Sequence, residues 1–245
     1  MKILMRTWTV LMVMWIGMMS AWGGREGAYF GLVGDRVLGA AGATEQEAFF
    51  AGNGVLHIRS TSGGSFSGVV RWEGRSHPFG GAWDGSGNAT VNVARAGRSL
   101  LVITMRHRDV GLGEVSGTLD SGKAVVGFVL RRGDAWVGGG KHPLGGKRYS
   151  LLMSVPGGVA VGYGLGSVVV GVDGSWTLSG WLGNGQGLIC AGRVVDGGGG
   201  SWILPVYVGG VNVVSGEVEV WKVERASGSD VGGKLAWLKR SEGGV

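Results

Sequence analysis

Residues 177–186 read TLSGWLGNGQ, and they set the pair Ser179-Gly180 in the middle of an alternating apolar run. The same pair stands at Ser67-Gly68 (FSGVV), Ser116-Gly117 (VSGTL) and Ser215-Gly216 (VSGEV). Glycine weakens a strand interior, and there it marks a bulge, a sharp bend or a close approach. Side chains alternate between the two faces of a strand, so the phase of each pair can be read. Gly68 shares a face with Phe66, Val70 and Trp72, and Gly117 with Val115 and Leu119. Gly180 shares one with Trp176, Leu178 and Leu182, and Gly216 with Val214, Val218 and Val220. In all four copies the glycine lies in the apolar row and the serine opposite. A ligand-contacting loop has no reason to keep that phase. The reading is architectural: each gap admits a large side chain from the next strand, or lets the strand coil as barrel closure requires.

Working outward, period-2 alternation recurs along the chain between glycine-rich breaks. Strands are predicted over 28–33, 54–60, 65–73, 76–83, 88–95, 99–107, 113–119 and 123–132. After the connector GDAWVGGGKHPLGG they resume over 147–153, 165–172, 175–183, 186–195, 200–208, 212–222 and 233–239. Short connections favour antiparallel hairpins. Glycine makes up 54 of 245 residues, about three times the usual ~7%, while good helix formers are sparse. The prediction is an all-β protein of two consecutive antiparallel meander units, barrel-like or sandwich-like.

The two halves also match in order. AYFGLV at Ala28 matches RYSLLM at Arg148, and GSFSGVV at Gly64 matches GSWTLSGWL at Gly174. VSGTLDSGKAVV at Val115 matches VSGEVEV…GGKLAW. A diverged tandem duplication accounts for this, with units at 27–137 and 146–240 and the boundary within 133–146. Ahead of them, Lys2 and Arg6 precede an apolar run from Thr7 to Met19, and Ala21-Trp22-Gly23 fits a small-x-small cleavage site. Residues 1–23 therefore read as a secretory signal peptide, and no later segment is apolar enough to cross a membrane as a helix.

Chemistry-bearing patterns are few. Formal charge is +6, and removing Lys2 and Arg6 leaves +4. The cations are scattered rather than clustered or interleaved with aromatics, which argues against nucleic acid. His57, His77, His107 and His142 stand in no metal spacing, so no metal or cofactor is expected; His57 and His107 fall in strands with a solvated face. Asp84, Asp120, Asp173 and Asp196 precede glycine or serine, as turn residues do. GGKRYS lacks the upstream glycine and hydroxyl of a phosphate loop, and GYGLGS leads into a strand rather than a helix. Cys190 has no partner for an internal disulfide and lies in the apolar run GLICAG, as a small buried hydrophobe. Trp72, Trp176 and Trp202 share phase with apolar neighbours and are expected in cores. Trp181 and Trp221 face outward, and either suits stacking on a sugar or partner or covering a neighbouring strand's glycine.

RYSLLM…GYGLGSVVVGVDGSWTLSGWLGNGQ…SWILPVYVGG…VSGEVEVW…GGKLAWLKR resembles a glycine-rich β unit found toward the C-termini of large secreted proteins of Verrucomicrobia-type bacteria. AYFGLV…GSFSGVVRWEGRSHPFGGAWDGSGNATV resembles the unit preceding it there. The resemblance implies a secreted or surface location and a modular role, and it brings no catalytic residues. The expectation is a secreted, non-enzymatic structural or adhesion-type module of the cell envelope, meeting envelope glycan or a surface protein. The alternative is a glycan- or lipid-binding barrel using an internal cavity or an exposed tryptophan. An outer-membrane barrel fits poorly, because Arg71, Glu217 and Glu219 interrupt the outward apolar band that it needs.

Overall fold

The computed structural model describes residues 26–38, 54–108, 113–133, 140–153, 163–198, 200–209, 212–221 and 231–239. The leader at 1–23 and residues 134–139 of the connector lie outside them. The described chain is all-β and antiparallel. The first eight strands are β1 (Gly27–Leu38), β2 (Gly54–Ser60), β3 (Ser65–Trp72), β4 (Arg75–Ala82), β5 (Asn88–Val93), β6 (Leu101–Arg108), β7 (Glu114–Asp120) and β8 (Val125–Arg132). The second eight are β9 (Arg148–Met153), β10 (Gly164–Val170), β11 (Ser175–Trp181), β12 (Gly187–Arg193), β13 (Val195–Gly198), β14 (Ser201–Val208), β15 (Asn212–Trp221) and β16 (Val231–Lys239). No helix among the described residues is long and apolar enough to cross a membrane.

Strands β1–β8 form one sheet in the order β4-β3-β2-β1-β8-β7-β6-β5. The chain's first strand thus pairs with its second and its eighth, which curls the meander into a nearly closed barrel. The open seam lies between β4 and β5. Serving two neighbours demands coiling in β1, and its register with β8 shifts between Val33 and Val37. Gly34 sits in that bulge at φ 108°, a conformation that side-chain-bearing residues avoid. The hairpin from β3 to β4 turns on Glu73 and Gly74, at φ 52° and 75°. Two positive φ values give the type I′ turn that matches strand twist. Glu73 then pairs with both Arg95 and Arg98 across the barrel end.

The second eight strands form two four-stranded sheets, β12-β11-β10-β9 and β13-β14-β15-β16. The alternation through 186–195 predicts one strand there. The chain instead changes sheets at Val194, whose N–H is drawn to Gly174 O at 2.9 Å. Two buried clusters result. One, including Tyr29, Ile58, Trp72, Ile103 and Phe128, fills the barrel. The other, including Trp176, Leu178, Trp202, Val206 and Val218, lies between the two smaller sheets. Every residue from Ser201 to Tyr207 is buried. Trp202, Leu204 and Val206 belong to the second cluster, and the opposite face of β14 turns toward the barrel wall at β1 and β2.

Matched sequence pairs occupy matching ordinal places: RYSLLM is β9 as AYFGLV is within β1, and GSWTLSGWL begins β11 as GSFSGVV begins β3. The Ser-Gly pairs follow a finer rule. They fall in β3, β7, β11 and β15, the third strand of each successive run of four. In register, Gly68 faces Phe79, Gly117 faces Phe128, Gly180 faces Leu188 and Gly216 faces Leu235 on the fourth strand. Rings also lie on directly paired glycines at Gly54 under Trp72, Gly81 under Phe66 and Gly192 under Trp176. A Cβ added at Gly54, Gly68, Gly81, Gly117 or Gly192 would come within 2.5–2.8 Å of its ring. The missing side chain is the seat for the aromatic, as in rescue of strand glycines by cross-strand rings. At Gly180 the neighbour is backbone: a Cβ would run into Leu165 O and Gly166 Cα, so there the gap serves close strand approach.

Candidate functional site

The turn acids act locally. Asp84, Asp120, Asp173 and Asp196 each accept the N–H two residues on, at 2.9, 2.8, 3.0 and 2.8 Å. This is the side-chain-to-backbone turn chemistry that favours Asp between strands. Hydrogen bonds from Ser175, and the guanidinium of Arg193, hold the exposed Asp173 carboxyl below its ordinary pKa. His107 departs from its expected solvated setting. It alternates inward with Leu101, Ile103 and Met105, meets Tyr29 Oη at 2.8 Å, and packs edge-on to Trp83. It is a core histidine of the barrel. His142 is buried against Trp202 with its Nδ1 accepting Leu144 N–H at 3.1 Å.

Cys190 is half-buried, and burial pushes its thiol up to about 12. Thiolate is the nucleophile, so alkylation by iodoacetamide at pH 8 should be about a hundredfold slower in the folded chain than in urea. Mass spectrometry of timed aliquots checks this; equal rates would contradict it.

The two outward tryptophans differ. Trp221 is half-buried with its ring over Gly232 of β16, where a Cβ would stand 2.6 Å away. Trp181 is 64% exposed, in a row with Leu165 at 61% and Leu152 at 67%. Register makes that row continuous across three strands, Leu152 to Leu165 to Trp181. On the same face Tyr163 precedes Leu165 by two residues, and Ile189 on β12 pairs with Ser179 in the next row, at 72% and 78% exposure. The adjacent row on the same face is hydroxylic: Ser150, Ser167 and Ser179 pair in register.

A second feature joins residues too far apart for sequence reading. Between the barrel wall and the second unit lies a cleft of about 630 Å³. Phe30, Val55 and Val69 line it from the barrel, and Ala191 and Pro205 from the other side. Its polar members are His57, Arg71, Ser76, Ser175, Arg193 and Tyr207. His57 stacks on Phe30 with ring centroids 4.1 Å apart. Burial, then the charges of Arg193 and Arg59, lower its pKa and favour the uncharged ring. Arg193 is committed to Asp173, donating to its carbonyl at 2.7 Å and carboxylate at 3.2 Å. Arg131 and Glu217 span the two units at 3.3 Å. Compared with known proteins, the chain matches no family model, no curated protein and no solved structure.

Proposed function

We propose that the protein is a secreted, non-enzymatic adhesion-type module of the cell envelope, and that its contact surface is the outward face of β9–β12. The observation that carries this reading is the row Leu152, Leu165 and Trp181, lying open across three paired strands. Leaving a large apolar side chain in water forgoes about 1.5–3 kcal/mol of burial. Contiguous apolar surface of this kind marks an interaction site on a folded protein. The leader-like N-terminus and the resemblance to surface-protein units favour the envelope as its setting. The ordered sequence match between the two halves favours a modular role.

The test is co-sedimentation of purified protein with envelopes of the producing cell. Wild type binds, and the double variant Trp181→Ala/Leu165→Ala weakens binding by about 30-fold, the scale of an anchor worth ~2 kcal/mol. Unchanged binding by the double variant would sink this surface. A second reading, glycan recognition, is favoured by the exposed Ser179 next to Trp181 on the same strand face. It expects saccharide titration to quench Trp181 fluorescence, with the quench absent in Trp181→Phe. The cavity form of the glycan or lipid reading finds no support inside the barrel, whose interior is occupied by its own side chains.

A further inference from the structure

The cleft between the two units has electrostatics that its structural role does not require. Its volume, about 630 Å³, falls in the range of small-molecule sites, ~300–1,000 Å³. Its walls are apolar, yet none of its described lining residues is acidic. Arg193 has its carboxylate in Asp173. Glu73, the nearest acid along β3's hairpin, is taken by Arg95 and Arg98. Arg71 makes no ion pair among the described residues. A guanidinium is never deprotonated in a protein, so this charge has to be met by solvent or by a ligand. The charges of Arg193 and Arg59 also reach His57 in the cleft and, after burial, lower its pKa. Tyr207 is fixed nearby through the Gly74 backbone.

We infer that this cleft binds an amphipathic carboxylate, with its anionic head on Arg71 and its hydrocarbon body against Phe30, Val55, Val69 and Pro205. Arg suits this role because its planar fork receives a carboxylate through two parallel hydrogen bonds. The apolar walls recover the burial of an alkyl or aryl body. The cleft takes Ser175, Ala191 and Arg193 from the far end of the same outward face of β11–β12, but the inference uses none of Leu152, Leu165 and Trp181.

Calorimetric titration of the full mature chain with decanoate and with decanol tests it. Decanoate is expected to bind one per chain and at least tenfold more tightly than decanol. Arg71→Gln, a change on an exposed strand position, should erase that preference. Val69→Trp should fill the cleft and abolish both. Trp181→Ala should leave decanoate binding as in wild type, so that failure of the envelope-contact reading leaves this result standing. The His57 ring resonances should titrate at higher pH with decanoate bound, since a nearby anion favours the imidazolium. Equal affinity for decanol and decanoate, full binding by Arg71→Gln, or binding that survives Val69→Trp would each overturn the inference.

Discussion

Replacing Gly117 by alanine is expected to destabilise the protein by about 3 kcal/mol, the upper end of the overpacking range. A Cβ at that position runs into the carbonyl oxygen of Thr104 on β6 and stands 2.8 Å from the Phe128 ring on β8. The ring can swing aside; the carbonyl cannot, because Thr104 is paired to Thr118 in the β6–β7 ladder. Relief therefore requires moving one strand against another. Displacing Phe128 would also uncover part of the barrel core, where that ring is buried. Gly187→Ala is the matched control. Nothing lies within 4 Å of its added Cβ, so loss of glycine's unfolded-state freedom should make it neutral or stabilising by up to about 1 kcal/mol. Urea midpoints of the two variants, at unchanged slope, decide the matter. Equal stability of Gly117→Ala and wild type would remove the ring-on-glycine account of the Ser-Gly pairs.

That account shows why much of this fold can be read from sequence. A glycine kept in one phase four times is a constraint on packing, and alternation tells which face it occupies. Strand limits followed from the same alternation and from Asp-Gly and Asp-Ser turns. What escaped the reading is what depends on partners distant in the chain. Val194 continues the inward row of Leu188 and Cys190, so nothing local announces that the chain changes sheets there. His107 belongs by phase with Leu101, Ile103 and Met105, but the Tyr29 hydroxyl that makes its burial tolerable lies 78 residues away. The run Ile203-Leu204-Pro205-Val206-Tyr207 did carry a usable sign. An apolar run without alternation indicates burial on both faces, and β14 is covered on both. The cleft had no such sign, because Val55, Arg71, Arg193 and Pro205 meet only after both units are folded. Trp181 and Trp221 look alike in sequence, and only the position of Gly232 separates a covered ring from an open one.

The packing of the two clusters leads to the other large effect. Trp176→Ala should cost about 3–5 kcal/mol, the usual range for deleting a buried tryptophan. The ring is 1% exposed, fills the space above Gly192 and contributes only to the second cluster. The two clusters share no residue, and the units meet through one face of β14, through β13 against β8 and through the half-exposed pair Arg131–Glu217. The exposed ion pair contributes ~0–1 kcal/mol, so coupling between the units rests on the strand contacts of β13 and β14, a narrower surface than either core. Unfolding of the variant is therefore expected to divide. The first transition should expose amides of β9–β12 and β14–β16 to hydrogen exchange at lower urea, while those of β2, β3, β6 and β7 keep their wild-type midpoint. A single shifted transition, with both sets of amides released together, would mean that the face of β14 against the barrel carries more of the stability than its composition suggests. In that case the cleft beside it would be part of one cooperative structure rather than a gap between two.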